Sequence, residues 1–99
     1  MVNPKLRDEQ NDRLCQAVLS LETLEEAYQF FEDICTIGEL KALAQRMEVA
    51  AMLSEGCTYE SIVETTGAST ATISRVKRCL HYGADGYQLV LERMKKQQQ

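Results

Sequence analysis

A chain of 99 residues is long enough for one compact domain and too short for two independent cores. With 44% hydrophobic and 26% charged residues, its composition is that of a soluble globular protein and excludes a disordered or membrane-embedded chain. No apolar run approaches the length of a membrane span and the first residues do not form a signal peptide, so we expect a cytoplasmic protein.

The net charge of −4 is unevenly distributed along the chain. Residues 1–69 carry 5 cations and 13 acids, whereas residues 70–99 carry 6 cations and 2 acids. Such an asymmetry within one small domain predicts an acidic body and a cationic working surface. Charges that simply cover a solvated surface are the alternative interpretation.

Side chains that could carry metal or catalytic chemistry are few. The cysteines at positions 15, 35, 57 and 79 are well separated and include no C-x-x-C pair, so we predict reduced thiols and no metal site. The single histidine, His81, has no acid, serine or cysteine suggested as a catalytic partner. We therefore expect the protein not to be an enzyme.

In the first half of the chain, apolar residues recur at three- and four-residue spacing, and alternating β-branched runs are missing. This pattern predicts an all-α fold. The three apolar stripes are Leu14, Val18 and Leu21, then Leu24, Tyr28, Phe31 and Ile34, then Leu40, Leu43, Met47 and Ala50. Thr23 is a candidate cap for a helix that runs to about Cys35, and a third helix starts near Ile37 and stops at Gly56.

The first two predicted helices carry more large apolar residues than the outside of a monomer normally does. These residues are Leu14, Val18, Leu19, Leu21, Leu24, Phe30, Phe31 and Ile34. We expect the two helices to pack against a second copy in a homodimer. A larger monomeric core is the alternative.

Two short helices are predicted between positions 58 and 82. Thr58 can cap the first, which Gly67 closes, and Ser69 can cap the second, which Gly83 closes.

A last helix is predicted after Asp85, its candidate cap, and it runs towards Lys96. Residues 1–8 and 97–99 are expected to be frayed. The sequence thus predicts six helices in a single domain that spans residues 1–99.

The segment 58–82 has the pattern of a helix-turn-helix, in which two short helices are joined by a turn that often contains glycine. The inner faces of such a pair must be apolar, so that the second helix is held rigidly. The predicted inner residues are Ile62 and Val63 on the first helix, Ala68 in the turn, and Ile73, Val76 and Leu80 on the second helix.

The outer face of the second helix carries short residues first and cations later. Short side chains at the start of a recognition helix can approach base edges in the major groove, and cations one or two turns later can meet phosphates. The free N–H groups at the start of the helix also favour an anion. The candidate residues for binding double-stranded DNA are Ser69, Thr70, Ala71, Ser74, Arg75, Lys77 and Arg78.

The stretch GASTATISR, Gly67–Arg75, resembles the helix-turn-helix of the Trp repressor family, and TIGELKALAQRMEVAAMLSEG, Thr36–Gly56, resembles the long helix before it. The similarity covers about residues 10–97 and is greatest to the YerC/YecD branch of Trp-repressor-related proteins. It implies a six-helix Trp-repressor-like fold, an intertwined homodimer, and a sequence-specific, repressor-like transcriptional regulator.

The same resemblance implies an effector pocket, which in the repressor itself holds L-tryptophan between two arginines. The matching positions are Thr36, Arg46, Thr72 and Arg75. However, Val76 stands where the repressor has a glycine and would intrude on the indole ring, and Cys79 replaces a pocket serine. We therefore expect no tryptophan corepressor and no other cofactor, and Arg46 would instead pair with Glu39 or Glu48. A different small-molecule effector stays open.

Glu60 is a further departure, because it falls where the repressor carries a phosphate-contacting arginine. A carboxylate that faces a phosphate is repulsive. Glu60 therefore favours an alternative function, in which the protein is a helical, dimeric protein-interaction module with a basic docking patch and no specific DNA binding.

Overall fold

The computed structural model of the protein describes residues 1–98, which form six α-helices and no strand. The helices are α1 (Glu9–Leu19), α2 (Leu24–Ile34), α3 (Ile37–Ser54), α4 (Tyr59–Thr66), α5 (Thr70–Tyr82) and α6 (Gly86–Gln97). The prediction of an all-α fold with six helices is confirmed. Within this part of the chain, no helix is both long enough and apolar enough to cross a membrane.

The two termini were expected to be frayed. At the N-terminus, Pro4–Leu6 forms one turn of 3-10 helix, and Asn3 Oδ1 accepts a hydrogen bond of 3.0 Å from the Lys5 N–H. At the C-terminus, α6 ends at Gln97, and Gln99 lies outside the described residues.

Local hydrogen bonds explain why most helices begin where the sequence predicts. Thr23, Thr58 and Ser69 each accept a hydrogen bond from the backbone N–H three residues ahead, at 3.1, 3.2 and 3.1 Å. Such caps satisfy an N–H group that would otherwise lack a partner in the helix. Gly56 and Gly67 have φ values of +84° and +72°, a left-handed conformation that glycine adopts without strain from a Cβ.

The start of α6 differs from the prediction. Asp85 has a left-handed φ of +69°, and its side chain makes no capping hydrogen bond. A capping side chain needs extended backbone at its own position in order to reach the N–H groups of the first turn, so the predicted Asp85 cap is wrong. Gln88 instead ties the first turn of α6 to α5, because its Nε2 donates a 2.7 Å hydrogen bond to the Leu80 carbonyl.

The helices fall into two compact units. The N-terminal unit consists of residues 2–41, with α1, α2 and the first residues of α3. The C-terminal unit begins at Ala42, includes Met1, and contains the rest of α3 with α4, α5 and α6.

The core of the C-terminal unit surrounds the inner side of α5, which packs against α4 and α6. Its buried members are Val49, Ala50, Ile62, Ala68, Ile73 and Val76. Ile62 is fully buried, but the next residue, Val63, is 38% exposed. The prediction that Val63 lies on the inner side is wrong, because each residue of a helix is rotated by about 100° from the one before it.

The N-terminal unit has no buried residue, although α1 and α2 are rich in large apolar side chains. Leu19 is 82% exposed and Leu24 is 76% exposed. The larger monomeric core, which was the alternative to a dimer, is therefore absent from residues 2–41.

All four cysteines carry free thiols; Cys15 and Cys79 are exposed, and Cys35 and Cys57 are half-buried. Within residues 1–98, no three or more histidine, cysteine, aspartate or glutamate side chains are grouped so that they could hold a metal ion.

The contrast between Ile62 and Val63 gives a direct test of the core. We expect Ile62→Ala to lower the free energy of unfolding by about 2–5 kcal/mol, because it leaves a cavity beneath α5. Val63→Ala should lower it by about 1 kcal/mol or less, because Val63 lies at the surface. Urea unfolding at equal protein concentration measures both values, and equal losses would contradict the assignment of the inner face.

Candidate nucleic-acid interface

The helix-turn-helix consists of α4, a turn of Gly67, Ala68 and Ser69, and α5. Ala68 is buried beneath the turn, as its small size predicts. The Thr66 hydroxyl stabilises the turn from both sides, because it donates to the Ile62 carbonyl at 2.7 Å and accepts from the Ala68 N–H at 3.1 Å. These bonds hold the start of α5 in a fixed position relative to α4.

A long-range hydrogen bond fixes the turn to α3. Gln45, on α3, donates from Nε2 to the Thr66 carbonyl at 3.1 Å in a partly buried contact. Sequence reasoning missed Gln45 and Thr66, because neither residue has a local signal for a contact across 21 positions.

The outer side of α5 is exposed along the predicted interface. The exposed side chains are Thr70, Ala71, Ser74, Arg75, Lys77 and Arg78, with Ser69 just before them. Within residues 1–98, the only ion pair joins the N-terminal amine and Asp85, at 3.8 Å. No carboxylate of residues 42–98 therefore forms an ion pair with the three cations of α5. The structure places all seven candidate residues on one accessible segment, and their contact with DNA stays a prediction.

Ser69 has a structural role at the start of this surface. Its Oγ accepts from the Thr72 N–H at 3.1 Å and donates to Thr72 Oγ1, also at 3.1 Å. With its hydroxyl engaged twice, Ser69 is suited to order the first turn of α5. The positive end of the helix dipole at that turn favours an anion, in addition to the three cations farther along α5.

Lys77 contacts the other helix of the motif. Its Nζ lies over the aromatic ring of Tyr59, 5.7 Å from the ring centroid. Tyr59 is the first residue of α4, is half-buried, and packs against the core of the C-terminal unit. Sequence reasoning predicted Lys77 but missed Tyr59, because a pair 18 positions apart leaves no pattern in the sequence.

Glu60, the possible source of repulsion, is exposed in the first turn of α4. An acid in this position interacts favourably with the positive end of the helix dipole. Glu60 therefore stabilises α4 locally, while its charge stays on the surface of the helix-turn-helix.

Thr36, the first of the four predicted pocket residues, caps α3. Its backbone N–H donates to Glu39 Oε1 at 2.9 Å, and its Oγ1 accepts from the Glu39 N–H at 3.1 Å. This reciprocal pair is a capping box. The backbone N–H of Thr36, followed by its side chain, lowers the pKa of Glu39. Because this pKa is lowered, the ionised Glu39 carboxylate stabilises the fold at pH values above the ordinary carboxyl pKa. That contribution is lost as the pH falls through the lowered pKa.

The other predicted pocket residues either form local hydrogen bonds or are exposed. Arg46 Nε donates back to the Ala42 carbonyl at 3.3 Å, and no carboxylate of residues 42–98 forms an ion pair with it. Glu48 therefore does not pair with Arg46, and that predicted ion pair is wrong. Glu39 accepts from Thr36 through Oε1, and its pairing with Arg46 stays a prediction. Thr72 is bonded to Ser69 and Arg75 is exposed. Val76, which departs from the family pattern, is buried in the core, and effector binding stays untested.

Comparisons with known proteins agree with this geometry. The sequence model of the Trp repressor protein family matches residues 9–95. Over 91 residues the chain is 60% identical to the uncharacterized protein YerC of Bacillus subtilis, and the match covers 92% of this chain and 88% of that protein.

Two solved structures have the same fold, each with a TM-score of 0.90. A TrpR-like protein from Eubacterium eligens is 59% identical, with 94% of this chain and 96% of that chain covered. A structure from Staphylococcus aureus, described as a candidate Trp repressor, is 52% identical, with 96% and 95% covered.

Together, the exposed outer side of α5, the turn with its buried Ala68 and these matches define a helix-turn-helix protein of TrpR-like fold. The chain belongs to the Trp repressor family. The resemblance to this family and the six-helix Trp-repressor-like fold are therefore confirmed. Because the family consists of regulatory DNA-binding proteins and not of enzymes, the prediction that this protein is not an enzyme is confirmed as well.

The cap on α5 can be tested apart from any DNA contact. We expect Ser69→Ala to lower the free energy of unfolding by about 1 kcal/mol, since the Thr72 N–H loses its acceptor. Ser69→Asp keeps an acceptor and should retain most of the stability. Ser74→Ala, an exposed serine on the same helix, is the matched control and should change stability by about 0.5 kcal/mol or less. Thermal unfolding would contradict the assignment if the two alanine variants were equally stable.

Proposed function

We propose that the protein is a sequence-specific, double-stranded DNA-binding transcriptional regulator of the repressor type, which acts in the cytoplasm as a homodimer. The observation that carries this proposal is the outer side of α5. It presents short residues at its start and three cations without ion-pair partners among residues 1–98, on a helix whose opposite side is buried. Membership in the Trp repressor family supports it.

The order of residues along α5 suits a helix that enters the major groove. Thr70, Ala71 and Ser74 are short, so the backbone can approach base edges closely; hydroxyls can hydrogen-bond to bases and a methyl group can contact thymine. Arg75 and Arg78 follow within the next two turns, where the phosphate backbone would pass. Base selection and salt-dependent affinity would thus come from different parts of one helix.

The homodimer is supported by the apolar surface of the N-terminal unit. None of residues 2–41 is buried, yet α1 and α2 expose several large apolar side chains that a second copy could cover. In a symmetric dimer, the two copies of α5 would read half-sites about 34 Å apart. The operator would then be an imperfect palindrome.

We further propose that DNA binding does not require tryptophan or another cofactor. This rests on the family comparison made from the sequence, in which Val76 replaces a glycine and Cys79 replaces a serine of the corepressor pocket. Thr36 and Thr72 support it, because their hydroxyls are engaged in the helix caps of α3 and α5. A small-molecule effector of another class is compatible with this proposal.

The second candidate function is a protein-interaction module, and the exposed carboxylate of Glu60 on α4 favours it. In that case, the cations of α5 would bind an acidic protein surface, and the purified protein would not bind duplex DNA even at low salt. Titration against random duplexes separates the two functions.

The contacts of α5 with DNA should divide into two kinds. We expect Arg78→Gln to weaken binding to every duplex and to flatten the plot of log K against log salt by about 0.9 for each phosphate that is no longer neutralised. Ser74→Ala should instead change the preferred base at one position in each half-site, by about 1–3 kcal/mol. Fluorescence anisotropy measures both effects on duplexes that are selected from a random pool. Each titration is run with and without L-tryptophan.

Lys5→Gln, at an exposed position outside α5, makes the same change in net charge and controls for nonspecific attraction. The proposal fails if the wild-type protein leaves random duplexes unbound at low salt, or if Arg78→Gln and Ser74→Ala both bind as the wild type does.

The dimer can be tested at Leu24, the most exposed large apolar side chain of α2. We expect the wild type to sediment at about twice the 11.2 kDa chain mass. Leu24→Glu should dissociate it, because a charge would be buried in the interface. An acid in the first turn of a helix is otherwise favourable, so α2 itself should persist. Gln29→Glu, about 140° around the same helix, is the control. A wild type that sediments as a monomer would refute the dimer.

A further inference from the structure

The Tyr59–Lys77 contact distinguishes Lys77 from the other cations of α5. Lys77 Nζ lies 5.7 Å from the centroid of the Tyr59 ring, so its position depends on α4 as well as on α5. Tyr59 is itself held in place, because it is half-buried and packs against the core. The ring is therefore a fixed platform for a side chain that is otherwise long and flexible.

The contact also leaves the charge of Lys77 available. An aromatic ring attracts an ammonium group without neutralising it, whereas a carboxylate would cancel the charge. Glu60 follows Tyr59 in the chain, yet no carboxylate of residues 1–98 forms an ion pair with Lys77. The ammonium group keeps N–H donors for an acceptor that approaches from solvent.

Lys77 occupies a different side of α5 from Arg78. Helical geometry rotates Arg78 by about 100° from Lys77, and the contact with Tyr59 shows that Lys77 lies on the flank that faces α4. The two cations would therefore meet different phosphates if α5 entered a groove. The flank of Lys77 belongs jointly to the first residue of α4 and the middle of α5.

We propose that Tyr59 and Lys77 form a separate phosphate-binding site on the α4 side of the helix-turn-helix, with a backbone phosphate of duplex DNA as its ligand. Lys77 donates to the phosphate, and Tyr59 is the positioning residue that holds the ammonium group in place before DNA arrives. Less side-chain freedom is then lost on binding than for a lysine that extends into solvent. This inference rests on the proposed DNA-binding function.

A double-mutant cycle on DNA affinity tests the site. Tyr59→Leu keeps an apolar side chain against the core but removes the aromatic ring, and we expect it to weaken DNA binding about two- to fivefold for each subunit. Tyr59→Phe keeps the ring and should bind like the wild type. In a Lys77→Gln background, Tyr59→Leu should have almost no further effect. In the matched Arg78→Gln background, it should keep its full effect.

The salt dependence separates positioning from charge. Lys77→Gln removes a cation and should flatten the salt plot by about 0.9 for each phosphate left without its counter-charge, whereas Tyr59→Leu should weaken binding and leave the slope nearly unchanged. Thermal unfolding records any loss of stability in each variant. If Tyr59→Leu is not folded at the assay temperature, Tyr59→Met takes its place in the cycle, because methionine is also apolar and has no aromatic ring.

Each outcome has a distinct meaning. A Tyr59→Leu effect of the same size with and without Lys77 shows that Tyr59 acts only through packing, and this overturns the inference while the DNA-binding proposal stands. Unchanged affinity and salt slope in Lys77→Gln would likewise overturn only the inference. A wild-type protein that binds no duplex at low salt rejects the proposed function and this site together.

Discussion

The burial of one side of α5 is the constraint on which the rest of the C-terminal unit depends. Ile73 and Val76 are packed with Ile62 of α4 and Ala68 of the turn, so α5 can neither rotate nor slide without exposing them. Interiors packed to this degree resist small displacements, because every gap forfeits contact energy. The opposite, exposed side of α5 is consequently held in a fixed orientation within the C-terminal unit.

Polar groups then fix the ends of the helices around that core. Ser69 orders the first turn of α5, Thr66 closes the end of α4, and Gln45 bonds the same turn to α3. Each bond is modest, typically about 1 kcal/mol in net terms. Their common effect is positional, since all of them act on the few residues between α4 and α5. The exposed side of α5 is thus held in place by apolar contacts on the buried side of the helix and by hydrogen bonds at its start.

Features with a local cause could be predicted from the sequence. The caps Thr58 and Ser69, the helix ends at Gly56 and Gly67 and the apolar stripe of α5 depend on neighbours within four residues, and the structure has them as predicted. The outer residues of α5 followed by elimination, once its inner stripe was identified. The wrong predictions at Val63 and Asp85 also concern local features. Val63 depends on its position around the helix and Asp85 on its backbone φ angle, and residue type alone determines neither.

Features that depend on distant residues could not be predicted. The contact of Tyr59 with Lys77 and the bond from Gln45 to Thr66 join positions that only the folded chain brings together. For the N-terminal unit, the sequence predicted apolar residues that one chain leaves uncovered, but not how far each of them is exposed. The residue types predicted which surfaces are apolar and which are cationic. The contacts between residues within each surface could be seen only in the structure.

Because α5 has a buried side and an exposed side, two sets of its residues can change independently in evolution. Thr70, Ala71 and Ser74 make no contribution to the buried core, and Ile73 and Val76 have no access to solvent. Under the proposed function, exchanges at the first three positions would therefore change the preferred DNA sequence at little cost in stability. Exchanges at the other two would lower the free energy of unfolding and leave the proposed DNA-facing residues unchanged, so target choice and stability would evolve at separate positions.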